Sequence, residues 1–139
     1  HGYAIAVLDH ADTNTEKFER LLTGLEGPPD PQSLLNRPKD ISALLDALEQ
    51  EAAARSELQW LTLESVGVLG HSLGGYTVLA AAGAQMQRDQ LTEVCSDTVA
   101  EQPLLNLSML LQCRFLELPA AASIAVQDDR VQAVMAINP

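Results

Sequence analysis

The chain has 139 residues, a length typical of one domain, and 47% of them are hydrophobic, enough for a buried core. Eight Lys and Arg stand against 19 Asp and Glu, for a formal net charge of −11. This balance excludes the clustered positive charge that a nucleic-acid-binding surface needs. No stretch approaches the roughly 20 apolar residues of a membrane span. We therefore predict neither a nucleic-acid partner nor a membrane span.

The first predicted element is a buried strand at about 3–8. The opening residues, HGYAIAVLDH, contain an apolar run without polar alternation, which is typical of a strand covered on both faces. The run starts almost at once and without an initiator Met, and the chain ends directly after another apolar run. We therefore expect this chain to be part of a longer protein, so that the lack of a signal peptide says little about its compartment.

Helices are predicted next along the chain. Apolar residues at helical spacing predict one helix around 18–25 and a second from Pro38 to about Arg55. Pro38 suits the first turn of the second helix, where a missing N–H costs nothing. Apolar residues then recur on one face of that helix: Ile41, Leu44, Leu45 and Leu48.

Two further strands are predicted at 66–69 and 131–137, with a helix at 73–84. This alternation predicts an α/β domain over 1–139, with a parallel sheet and helices on both faces. Segment 85–130 has a less ordered pattern and is a possible cap or insertion. It holds Cys95 and Cys113. They either form a disulfide, as in a periplasmic or secreted protein, or stay as buried thiols, as in a cytoplasmic one.

The sequence GHSLG, residues 70–74, joins the strand at 66–69 to the helix that follows. It matches G-x-S-x-G, in which a serine on a sharp strand-to-helix turn raises its hydroxyl above a sheet. Gly70 and Gly74 are expected to permit a close backbone approach. The helix dipole favours negative charge here, and the N–H of Leu73 is placed to bind an oxyanion. Ser72 is therefore predicted to be a nucleophile; the alternative is that it only caps the helix.

Two histidines near this turn are candidates for the substrate pocket. His71 adjoins Ser72, and His10 ends the first predicted strand at the sheet edge where sites form. Core packing for His71 and loop packing for His10 remain alternatives. Arg37 and Asp40 could reach a site, although Asn36 and Asp40 are more typical of the helix start. Neither cysteine has a second ligand at zinc-like spacing, so no metal or other cofactor is predicted.

Several motifs together resemble the α/β-hydrolase superfamily: GYAIAVLDH, NRPKDISALLDALEQ, GHSLGGYTVLAAAG and DDRVQAVMAINP. Within it, the chain is most similar to the predicted dienelactone-hydrolase and platelet-activating-factor-acetylhydrolase-like group. The resemblance implies a partial α/β-hydrolase fold, with Ser72 as nucleophile and Leu73 supplying one oxyanion N–H. It also implies that a strand missing from this chain separates the one at 3–8 from the one at 66–69. Dienelactone hydrolase itself uses cysteine, so serine here implies carboxylic esters rather than that lactone as substrate.

The rest of a catalytic triad is not evident in the chain. A serine needs a general base and an orienting acid, which in this superfamily follow it in the order Ser, acid, His. The three histidines are His1, His10 and His71, and none follows Ser72. Asp128 and Asp129 precede the last strand and so lie at its wrong end. We expect the acid and the His to lie outside residues 1–139, and this stretch alone to be a poor catalyst.

The function expected from the sequence is that of a serine esterase which forms an acyl-enzyme with a small ester substrate. Two alternatives stay open. One is an acyltransferase on the same fold, in which an alcohol replaces water. The other is a non-catalytic binding or scaffold protein that kept the fold and lost the triad.

Overall fold

Two parallel strands form the sheet in the part of the chain described by this computed structural model, residues 2–101, 107–122 and 126–139. Strand β1 (Val66–His71) pairs with β2 (Val131–Ile137), so that Leu69 lies opposite Met135. The register shifts between Val66 and Gly67, where the pairing is irregular. The strands predicted at 66–69 and 131–137 are confirmed, and so is their parallel pairing.

Helices make up most of the other described residues. In chain order they are α1 (Thr15–Leu22), α2 (Ser33–Ala54), α3 (Leu73–Ala81), α4 (Arg88–Glu101) and α5 (Leu107–Cys113), with 3₁₀ helices at Ser56–Leu58 and Arg114–Glu117. Only Ser72 separates β1 from α3. None of the helices in the described ranges is long and apolar enough to cross a membrane.

The strand predicted at 3–8 is wrong, because this segment pairs with neither strand of the sheet. Tyr3, Ile5 and Val7 are 91%, 89% and 91% exposed. Leu8 is partly buried and packs against the cluster that contains Ile41. A strand needs a neighbouring backbone to satisfy its N–H and C=O groups, and no described strand lies beside this segment. The apolar pattern predicted the strand but could not supply its partner.

Helices α2 and α3 cover one face of the sheet. A buried cluster joins them to it: Ile41, Leu45, Val78 and Ala81, with Val66, Val68, Val131 and Ala136 packed against them. The opposite face carries Leu69 and Met135, which are both more than half exposed. The expected helices on both faces are therefore not found among the described residues. What the structure establishes is a mixed α/β arrangement with a two-stranded parallel sheet.

Helix α2 begins at Ser33, earlier than predicted, which places Pro38 inside the helix rather than in its first turn. A proline has no N–H to donate to the carbonyl four residues before it, here that of Leu34. The hydroxyl of Tyr76 in α3 donates to this carbonyl instead, at 2.7 Å, and all three residues are buried. Burial also raises the pKa of the Tyr76 hydroxyl, which keeps it protonated as a donor. The proline thus creates an acceptor that ties α2 to α3.

The segment predicted as a possible cap or insertion, 85–130, packs against the same two helices. A disulfide joins Cys95 of α4 to Cys113 of α5. Phe115, two residues later, forms a second buried cluster with Leu34, Tyr76 and Ala80. Residues 102–106 and 123–125 of the segment lie outside the described residues. Of the two cysteine states that the sequence left open, the structure has the one associated with an oxidising compartment.

Charged side chains hold the start of β2 against α2. Arg130 pairs with Asp128 at 2.6 Å, with Asp46 at 2.8 Å and with Glu49 at 3.0 Å. The Asp128 carboxylate is buried, and its hydrogen bonds to Arg130 hold its pKa well below the usual range. This cluster lies at the opposite end of β2 from Ser72, as predicted for Asp128.

Replacing Tyr76 by Phe should lower the free energy of unfolding by about 1–3 kcal/mol, because the Leu34 carbonyl is then buried without a donor. Denaturant unfolding of both proteins measures the loss. The matched control is the same change in a Pro38→Ala background, where the new N–H can donate to Leu34. There Tyr76→Phe should cost clearly less, and an equal cost in both backgrounds would contradict the assignment.

Replacing Asp128 by Asn should destabilise the fold at neutral pH, and the loss should shrink in acid. A carboxylate whose folded-state pKa is depressed stabilises the fold above its unfolded pKa of about 3.9. That contribution is lost as the pH falls below about 4 toward the folded-state pKa. Denaturant unfolding of both proteins between about pH 7 and pH 3 tests this. A difference that does not change with pH would show that the carboxylate charge is not responsible.

Candidate functional site

Ser72 is held in a backbone conformation that residues other than glycine rarely adopt. Its φ is 55° and its ψ is −125°. Such a conformation costs about 1–3 kcal/mol and persists only where the surroundings enforce it. The Ser72 N–H donates to the carbonyl of Ile137 at 2.9 Å, and its own carbonyl accepts from the N–H of Gly75 at 2.8 Å. The end of β2 and the first turn of α3 therefore fix the serine from both sides.

The turn requires glycine at two positions. A Cβ on Gly70 would lie 2.0 Å from the carbonyl oxygen of Gly74, and a Cβ on Gly75 would lie 2.9 Å from the Cα of Pro139. A Cβ on Gly74 would meet no atom within 4 Å. The close backbone approach that we expected at Gly70 and Gly74 is therefore confirmed at Gly70 but not at Gly74. The second position that requires glycine is Gly75. The sequence GHSLGG contains this second glycine directly after Gly74. The G-x-S-x-G motif ends at Gly74 and therefore did not predict a role for Gly75.

The alternative role of Ser72 was to cap the helix that follows it. Its hydroxyl makes no capping hydrogen bond to α3. Ser72, Leu73 and Gly74 line a cavity of about 510 Å³. Leu73 is the first residue of α3, so its N–H has no acceptor within the helix. The turn therefore presents a hydroxyl and a backbone N–H donor to one cavity.

Both histidines that the sequence placed near the pocket line this cavity. His71, the last residue of β1, is exposed and belongs to the cavity wall rather than to the core. His10 is only 9% exposed, and its Nδ1 lies 2.6 Å from Oδ2 of Asp40, which is 41% exposed. His1 lies outside the described residues.

Helix α2 supplies two residues whose role here the sequence did not establish. Asp40 binds His10 and is not at the helix start. Arg37 is buried in the cavity wall; its Nε donates to Oγ1 of Thr77 at 2.9 Å, and a terminal nitrogen donates to the hydroxyl of Thr13. Burial lowers the pKa of the Arg37 guanidinium, and the carboxylates of Asp12 and Asp40 oppose that effect. The stretch NRPKD carried these residues, but their partners lie at least 24 residues away along the chain.

Part of the cavity lining is apolar and includes Leu8, Phe18, Leu21, Pro29, Leu107 and Leu111. The last two belong to α5, so the segment predicted as a possible cap contributes to the wall around Ser72. Asp128 and Asp129 are not among the lining residues, and no described histidine hydrogen-bonds the Ser72 hydroxyl. In the described ranges, no group of three or more His, Cys, Asp or Glu side chains is placed to hold a metal ion.

Replacing Gly70 by Ala should lower the free energy of unfolding by about 3 kcal/mol or more, because the new methyl group overlaps the Gly74 carbonyl. Gly74→Ala is the matched control in the same motif. It should leave the stability unchanged or raise it by up to about 1 kcal/mol, since alanine is the better helix former. Thermal and denaturant unfolding of both variants measure the contrast. Equal effects of the two substitutions would contradict the geometry of the turn.

Comparison of the chain with protein-family models, with curated proteins and with solved structures gave no match. The arrangement around Ser72 is therefore the basis for a functional proposal.

Proposed function

We propose that this chain is part of a serine hydrolase of the α/β-hydrolase superfamily that cleaves carboxylic esters, with Ser72 as the nucleophile. The observation that carries the proposal is the enforced positive φ of Ser72 at a strand-to-helix turn. Strain of this kind is retained mainly at functional sites. A helix cap does not need it, and the Ser72 hydroxyl makes no capping bond.

The proposed reaction has two halves. The Ser72 Oγ bonds to the ester carbonyl carbon while its proton passes to a general base, and the carbonyl π electrons move onto oxygen. The N–H of Leu73 donates a hydrogen bond to this oxyanion, a contact typically worth about 3–4 kcal/mol in the transition state. The tetrahedral intermediate then expels the alcohol, which takes up the proton, and leaves an acyl-Ser72 ester. Water repeats the sequence on that ester and releases the acid.

The base and its orienting acid belong, in this proposal, to residues outside 1–139. No histidine follows Ser72, and no Asp or Glu that follows it is among the described residues that line its cavity. A second oxyanion N–H from the loop after a further strand completes the site. On this account the 139-residue stretch alone is a poor catalyst, and the test requires the full-length protein.

The cavity favours a neutral or apolar ester. Its apolar lining residues, among them Phe18, Leu21, Leu107 and Leu111, give an acyl or alkyl chain groups to pack against. The chain is strongly acidic overall, and Asp9, Asp12 and Glu26 line the cavity. Lys17 and Arg37 also line the cavity, so its own excess of negative charge is small. Together with the acidic chain as a whole, this excess weakly disfavours a substrate with a net negative charge.

A fluorophosphonate probe should label the full-length protein at Ser72, because such probes react with activated serine hydroxyls. Peptide mapping by mass spectrometry locates the label. Ser72→Ala should abolish labelling at this peptide without loss of fold, and Ser33→Ala is a serine control on α2, away from the turn.

Each outcome bears on the proposal. Labelling at Ser72 that disappears in Ser72→Ala supports an activated nucleophile. Absence of label from the folded, intact protein would overturn the esterase proposal and favour a non-catalytic binding protein. Hydrolysis that gives way to ester transfer when alcohols are added would favour the acyltransferase.

A further inference from the structure

The pair formed by His10 and Asp40 is a second polar feature of the Ser72 cavity. Asp40 can only accept a hydrogen bond when ionised, so the hydrogen between Oδ2 and Nδ1, 2.6 Å apart, resides on the imidazole. This assigns the tautomer: in a neutral ring, Nε2 carries the lone pair and is a hydrogen-bond acceptor. No described residue hydrogen-bonds Nε2, and the atom is not sealed from solvent.

The ring is also held in place by the turn on which it lies. The carbonyl of His10 accepts from the N–H of Thr13 at 3.1 Å. The hydroxyl of Thr13 in turn accepts from Arg37, which lies one helical turn before Asp40 on α2. Two residues one turn apart on α2 thus fix this loop. Arg37 binds the turn at Thr13, and Asp40 binds the imidazole of His10. A histidine that only packs in a loop needs neither a carboxylate partner at Nδ1 nor an open acceptor at Nε2.

We propose that His10 is a substrate-binding residue, which accepts at Nε2 a hydrogen bond from a hydroxyl or amide N–H of the ester, and that Asp40 is its positioning residue. The inference rests on the proposed function of Ser72 and deepens it. The substrate class is an ester with both an apolar portion and a hydrogen-bond donor, because His10 lines the same cavity as Ser72, Phe18 and Leu111. A site built around such an acceptor rejects an analogue that lacks the donor, because the acceptor is then left unpaired.

The test compares two isosteric esters in the full-length protein: p-nitrophenyl 3-hydroxybutyrate and p-nitrophenyl 3-methylbutyrate. The wild type should prefer the hydroxy ester in kcat/KM by about five- to tenfold or more, the contribution of one hydrogen bond. His10→Phe keeps a ring of similar size and removes the acceptor, so the preference should be lost, mainly through KM. Asp40→Asn should reduce the preference partly, because the amide permits either tautomer of the ring. His10→Gln retains an acceptor oxygen and should restore part of it.

Glu51→Gln is the matched control for Asp40→Asn, since Glu51 is an exposed carboxylate on α2 that is ion-paired with Arg55 and does not line the cavity. It should leave the substrate preference unchanged. An unchanged preference in an active, folded His10→Phe variant would overturn the inference. So would an equal loss of kcat for both esters, which would make His10 part of the proton transfer instead. If neither ester is cleaved by the wild type and Ser72 takes up no fluorophosphonate, the failure lies with the proposed function.

Discussion

The contact between Gly70 and the Gly74 carbonyl is the constraint on which the site depends. With the Cβ position of Gly70 only 2.0 Å from that oxygen, a residue with a side chain cannot occupy this point of β1. The close approach lets α3 start one residue after the strand ends and forces Ser72 into its positive φ. The hydrogen bonds from Ser72 to Ile137 and from Gly75 to Ser72 then hold the strained residue. The consequence is a serine that lines a cavity and whose hydroxyl does not cap its helix.

Helix α2 also positions this turn, through hydrogen bonds to α3, which lies about 40 residues later in the chain. Pro38 exposes the Leu34 carbonyl, which Tyr76 of α3 satisfies. Arg37 binds Thr77, whose hydroxyl donates to the carbonyl of Leu73 at 2.7 Å. Both contacts fix α3, and with it the oxyanion donor that we propose. The same stretch of α2 holds the loop that carries His10, so one helix contacts both that loop and α3.

Local patterns predicted the strand–turn–helix around Ser72, because the strand, the glycines and the helix are all encoded within about 20 residues. The extent of β2 was equally accessible, since its short apolar run predicts a strand, although most of its residues are exposed in the described part of the chain. The strand predicted at 3–8 could not be tested by its apolar sequence alone. A segment becomes a strand only when another strand pairs with its backbone, and the sequence of the segment does not show whether that partner is present. Pro38 was misplaced for a similar reason: the cost of a proline inside a helix is offset by Tyr76, 42 residues after the Leu34 carbonyl that it binds. His10 and Asp40 are 30 residues apart, and only the fold brings them together.

The central claim is that Ser72 is a nucleophile that carries an acyl group. The most direct measurement is rapid acid quenching of the full-length protein with p-nitrophenyl acetate, followed by mass spectrometry of the peptide that contains residues 66–83. The account predicts an acetyl group on Ser72 that forms with a burst of p-nitrophenol, and that is absent from Ser72→Ala. Ester turnover with no acyl group at Ser72, or a burst that survives in Ser72→Ala, would contradict it.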